Sequence, residues 1–155
     1  MATIDATLSL NSSDLSSSAL ALTKTMTMKK AGINTGLEFT SGLVRRKLTA
    51  TTAIDLITVG AQMYGTPTAT TNANKLYVKN TGSSSTDYVD IAIGSSAADA
   101  GEELLATGGN SKITLGKLFG GDWMLIPFHG AAENDIVAIP STAEAMTIEW
   151  MLFFE

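Results

Sequence analysis

The chain has 155 residues, no cysteine and one histidine, a length that suits one domain with its own core. Those counts exclude disulfides, thiolate metal sites and cysteine nucleophiles, and leave His129 as the sole imidazole for any Ser–His–Asp arrangement. With 15 acids against 10 bases the net charge is −5, so attraction to nucleic acid is not expected.

No apolar run approaches the roughly 18 residues of a membrane-spanning helix. The opening Met1-Ala2-Thr3-Ile4-Asp5 carries no basic region of a secretory signal. The expectation is a protein made in the cytoplasm, without a membrane partner.

Helical periodicity is nearly absent, whereas apolar and polar residues alternate in short runs between turn signals. Ile4, Ala6, Leu8 and Leu10 share one face of a first strand, opposite Thr3, Asp5, Thr7 and Ser9. After the Ser-rich Asn11 to Ser18, a second run places Leu20, Leu22, Lys24, Met26 and Met28 on one face. Lys24 interrupts that apolar stripe, as a charge does on an edge or bent strand. Met1 to Lys30 therefore reads as an extended N-terminal arm with the first strands, expected to be donated to a neighbouring subunit. Residues 31–155 read as a single β-sandwich.

Leu43 to Thr51 follows Gly32 and Gly36 and carries Arg45, Arg46 and Lys47 in a row; Ala53 to Val59 is a fourth short strand or the entry to a loop. Residues 60–74 have no period and end in turn formers, so they are a long loop or the boundary between two sheets. Leu76 and Val78, a polar turn from Asn80 to Ser85, and Val89, Ile91 and Ile93 then predict a β-hairpin. Residues 97–106 are the best helical candidate, but Gly101 costs about 1 kcal/mol there and limits the expectation to a single turn. Lys112 to Leu118, Trp123 to His129, Asp135 to Pro140 and Met146 to Phe154 close the chain as strands. In the last one the outer face also turns apolar, which predicts cover by a second sheet or another subunit. The expected fold is all-β, an antiparallel sandwich of about eight to ten strands, jelly-roll or immunoglobulin-like.

Charge divides the chain. Residues 1–77 hold seven bases and four acids, and residues 78–155 three bases and eleven acids, a split suited to contacts between neighbouring copies.

Candidate sites are sparse. His129 at a strand end, near Asp122 and Asp135, could act as a base, but no G-x-S-x-G elbow accompanies it and a structural hydrogen bond is the expectation. Asp87, Asp90, Glu102 and Glu103 match no EF-hand spacing, so solvated surface is expected rather than a metal site. Gly108-Gly109 and Gly120-Gly121 fit no phosphate loop and read as turns. Asn11-Ser12-Ser13 is formally a glycosylation sequon, expected to stay unmodified. Arg45, Arg46 and Lys47 are candidates for docking an acidic protein surface, although alternation sends Arg46 to the opposite face from its neighbours. Trp123, Phe128, Trp150, Phe153 and Phe154 are read as core or oligomer-contact aromatics, with a sugar platform as the alternative. No cofactor and no catalytic residue is expected.

The run Lys75-Leu76-Tyr77-Val78-Lys79-Asn80-Thr81-Gly82, a polar turn, and Asp87-Tyr88-Val89-Asp90-Ile91-Ala92-Ile93-Gly94 resembles small tailed-bacteriophage virion proteins. In those an apolar strand ending Lys-Asn-Thr leads into an Asn-Tyr-Val-x-Ile/Val strand. The last third is similar too: a turn, a Leu-rich strand, a strand ending Leu125-Ile126-Pro127, and an Ala-rich alternating strand closing at Glu155. The resemblance covers about half of the chain and carries no catalytic motif; Asp87 stands where Asn is usual. It implies a non-enzymatic particle component located in the virion, most simply a capsid decoration or cement protein. Tail adaptor or fibre components and carbohydrate-binding modules are the alternatives. The implied partners are the major capsid protein or tail proteins and further copies of the chain, as a homo-oligomer with a trimer favoured.

Overall fold

The structure, a computed structural model, describes residues 4–13, 20–28, 39–58, 74–94, 112–128 and 135–154. Every regular element among them is a strand: β1 (Ile4–Ser12), β2 (Leu20–Met28), β3 (Phe39–Thr40), β4 (Val44–Leu48), β5 (Ile54–Ile57), β6 (Asn74–Asn80), β7 (Tyr88–Gly94), β8 (Lys112–Phe119), β9 (Trp123–Phe128), β10 (Ile136–Pro140) and β11 (Met146–Phe154). The helical candidate at 97–106, His129, and the glycines 108 and 109 lie outside the described residues.

β3 and β4 are one strand broken by a bulge. Both pair antiparallel with β11, yet three residues between Thr40 and Val44 oppose two between Phe153 and Trp150. The extra residue, three against two between the paired ends, is absorbed where Gly42 takes φ +71°, a left-handed conformation that side chains disfavour. Ser41 spans the gap: its backbone N–H donates to the Leu152 carbonyl at 3.1 Å, and its hydroxyl accepts from the Leu152 N–H at 2.9 Å.

With β3 and β4 counted together, the described residues of the body form two four-stranded sheets, every neighbouring pair antiparallel. One has the order β3/β4-β11-β6-β9 and the other β5-β10-β7-β8. Numbered from one to eight along the body, these orders are 1-8-3-6 and 2-7-4-5, the arrangement of a jelly roll and not of an immunoglobulin sandwich.

The strand order corrects one expectation. β6 and β7 do not form a hairpin; they lie in different sheets, and the connection from Thr81 to Asp87 crosses between them. The same holds for β8 and β9 across Gly120-Gly121. Alternation marks most of the strands but not their partners, since in a Greek-key path sequence neighbours are often sheet-to-sheet neighbours.

The core lies between the sheets. Leu76, Val78, Ile148, Trp150 and Leu152 come from one, and Leu56, Ile57, Val89, Ile91, Leu118, Ile136 and Ala138 from the other. Each such aliphatic side chain contributes about 1.5–3 kcal/mol by leaving water. One polar residue belongs to the junction: Asn80, 1 % exposed. Its amide nitrogen donates to the Leu118 carbonyl on the opposite sheet at 3.0 Å, and its amide oxygen accepts from the Gly82 N–H at 3.0 Å. Its backbone N–H donates to the Asp122 carbonyl and its own carbonyl accepts from the Gly121 N–H, so this residue's hydrogen-bonding groups are all used at the end of the sandwich.

β1 and β2 form a third sheet of their own, a two-stranded ribbon. The register pairs Ile4 with Met28, Ala6 with Met26, Leu8 with Lys24, Leu10 with Leu22 and Ser12 with Leu20 on one face. The other face is a ladder of short polar side chains. Thr27 Oγ1 donates to Asp5 Oδ1 at 2.6 Å, the Thr7 and Thr25 hydroxyls meet at 3.0 Å, and those of Ser9 and Thr23 at 3.4 Å.

Candidate interaction surface

Two exposed regions carry residues that packing does not explain. The first is the apolar face of the ribbon. Met28 is buried at its base, but Leu8, Leu10, Leu20 and Met26 are exposed. Near the base, the ribbon and the edge strand β9 flank a cleft of about 470 Å³ lined by Ala6, Leu8, Met26, Trp123 and Leu125, with Lys24 as its charged member.

The second region is the outer face of the β3/β4-β11-β6-β9 sheet. Register places Arg45, Glu149, Lys79 and Trp123 in one row across four strands. Glu149, the row's β11 member, is nearly buried: its Oε2 accepts from Arg45 Nε at 2.9 Å and its Oε1 from the Tyr77 hydroxyl at 3.0 Å. The Arg45 side chain is 67 % exposed, so the outer edge of its guanidinium faces solvent. Burial works against the Glu149 charge, but the hydrogen bonds from Arg45 and Tyr77 and the charges of Arg45 and Lys79 outweigh it and hold the carboxyl below its ordinary value. Burial, then the hydrogen bond to Glu149 and its negative charge, push the Tyr77 hydroxyl above its ordinary value, against the opposing charge of Arg45.

The three consecutive cations therefore part company. Arg45 is committed to Glu149. Arg46 stands on the opposite face, paired in register with Ile148, and its Nη1 donates a long 3.4 Å hydrogen bond to the Asp55 carbonyl on the other sheet. Lys47 is exposed on the same face as Arg45, opposite Thr147.

The aromatic residues divide as well. Trp150 is 8 % exposed and belongs to the core, and Phe153 is buried. Trp123 departs from the core reading: half of its surface is exposed, and its ring lies 6.5 Å from that of Tyr77 at a 40° tilt. It is at the odd-numbered, outward register of β9, where Met124 and Ile126 turn inward. The side chains of Phe128 and Phe154 lie outside the described residues.

On the opposite sheet Lys117 sits 4.0 Å over the Tyr88 ring, and Tyr88 packs on Phe119 with centroids 5.3 Å apart. Asp87 closes a local turn with Ser84, whose hydroxyl donates to its Oδ2 at 2.8 Å, while Asp90 lies on β7. Glu102 and Glu103 are outside the described residues, and no group of three potential metal ligands occurs among the described ones.

Sequence reasoning missed the Arg45–Glu149–Tyr77 constellation, because its members are 72 and 104 residues apart in the chain and meet only through β11. The signal that could have exposed it is Glu149 itself, a lone acid in the most apolar strand. Comparison with family models, with curated proteins and with solved structures finds no match for this chain.

Proposed function

We propose that this protein is a non-enzymatic structural component of a virus particle, a capsid decoration or cement protein that bridges neighbouring coat subunits. The observation that carries the reading is the ribbon. A two-stranded hairpin is marginal in water by itself, and this one presents Leu8, Leu10, Leu20 and Met26 to solvent while its polar face is internally satisfied. Such a face is stabilised when another subunit covers it, by about 25 cal/mol for each Å² of apolar area removed from water. The jelly-roll order supports the reading in kind, since capsid domains commonly use it, as do lectins. So does the resemblance at Lys75–Gly94 to phage virion proteins. The ribbon is the element through which copies of the chain, or the chain and a coat subunit, would join.

The test is the copy number of the protein relative to the major coat protein in purified particles, by quantitative mass spectrometry. A ratio near one to one, or one per few coat subunits, supports a shell-wide cement. A handful of copies moves the protein to the tail, and absence from particles removes the virion reading.

A further inference from the structure

The row Arg45–Glu149–Lys79–Trp123 lies on the outer face of its sheet, away from the core, and its Trp123 end opens into the cleft beside the ribbon. Strands in a sheet stand about 4.8 Å apart, so this row spans roughly 14 Å of the sheet's outer face. At one end the exposed Trp123 offers an aromatic face, tilted against Tyr77. In the middle Lys79 is beside both Trp123 and Glu149 in register, and it acts on Glu149 through charge and not through a hydrogen bond. At the other end the outer nitrogens of Arg45 remain after Nε has bound Glu149. Within the row Glu149 is held by Arg45 and by the Tyr77 hydroxyl, which fixes its geometry. A half-exposed aromatic ring next to a held ion pair leaves a pre-ordered surface open to a ligand.

We infer that this row is a binding site for an acidic oligosaccharide. The apolar C–H face of one pyranose stacks on Trp123. The carboxylate of that ring or the next meets the Lys79 ammonium, and ring hydroxyls or a further acid group meet the outer edge of the Arg45 guanidinium, which is suited to planar oxyanions. The strand spacing is close to the length of one sugar ring, so successive rings fall on successive strands. The row's net charge is positive in a chain of net charge −5, which selects an acidic over a neutral glycan. Lys47, exposed on the same face, and Lys24, on the far side of the cleft against Trp123, add to that field.

The experiment is calorimetric titration of the full chain and its variants with oligogalacturonate and with a short hyaluronan. The methyl-esterified galacturonate oligomer serves as the uncharged counterpart and poly-glutamate as an anion without a sugar face. The expected result is binding of at least one acidic glycan, about tenfold or more weaker binding of the ester, and none of poly-glutamate. Trp123→Ala and Lys79→Ala should each weaken the acidic glycan by about tenfold. Both should leave the melting temperature within a degree or two of the wild type, because both positions are at the surface. Failure to bind either acidic glycan, equal binding of the ester or of poly-glutamate, or an unaffected Trp123→Ala variant would overturn the inference. None of these outcomes bears on copy number in particles, so this site and the structural role stand or fall separately.

Discussion

Asn80 and Leu118, 38 residues apart, join the two sheets of the sandwich through a 3.0 Å hydrogen bond from side-chain amide to backbone carbonyl. The bond is buried, and the same side chain also accepts from Gly82, so both halves of the amide are used. Asn80→Ala leaves the Leu118 carbonyl without its donor and the Gly82 N–H without its acceptor, at a cost of about 2–4 kcal/mol. Asn80→Asp should cost more, since a carboxylate would face the Leu118 carbonyl with no proton to give. Urea denaturation of the three proteins checks this order.

Gly120 and Gly42 should respond differently to alanine. A Cβ on Gly120 would stand 2.6 Å from the Ser83 carbonyl carbon and the Ser84 nitrogen, both backbone atoms that cannot step aside without moving the crossing loop. The expected loss for Gly120→Ala is about 3 kcal/mol. At Gly42 nothing lies within 4 Å of the added carbon and only the positive φ opposes it, a cost of about 1–2 kcal/mol. Thermal unfolding of both variants would rank them.

Glu149 gives the fold a dependence on acid. Its folded carboxyl titrates below its unfolded value, so its contribution is fully present above the unfolded carboxylate range and is lost as pH falls through the folded value. Glu149→Gln should be less stable than wild type at pH 7, and the difference should shrink steadily below about pH 4.5. A constant difference across a melting series from pH 7 to pH 3 would contradict the role given to this carboxyl.

Much of this architecture is legible in the alternation. Ile4 to Leu10, Leu20 to Met28 and Met146 to Phe154 declare their strands because a half-buried sheet imposes a period of two. Other features are not local. β3 was missed because Phe39–Thr40 is too short to show a period, and the hairpin expected at Lys75–Gly94 failed because alternation is blind to which strand pairs with which. Trp123 illustrates a third limit. Its strand has an apolar residue on both faces, Trp123 and Leu125 against Met124 and Ile126, and nothing in the pattern says which face the other sheet covers. Arg45 and Glu149 were readable only as charges until β4 and β11 were found side by side.

Removal of residues 1–30 takes away a sheet that, among the described residues, shares no strand pairing with the body. The truncated chain should keep its near-ultraviolet dichroism, with Trp150 still in the core, while losing self-association. An unfolded product would show instead that the ribbon is part of the folding unit.

The most direct measurement of the ribbon's role is the solution mass, by light scattering, of the full chain beside a variant carrying Leu8→Ser, Leu10→Ser and Leu20→Ser. These side chains are exposed, so the substitutions should change stability little. The expected result is an oligomer for the full chain, with a trimer near three times the 16.2 kDa of one chain, and a monomer for the variant. A full chain that is monomeric at all concentrations, or a variant that associates equally well, would contradict assembly through the apolar face of the ribbon.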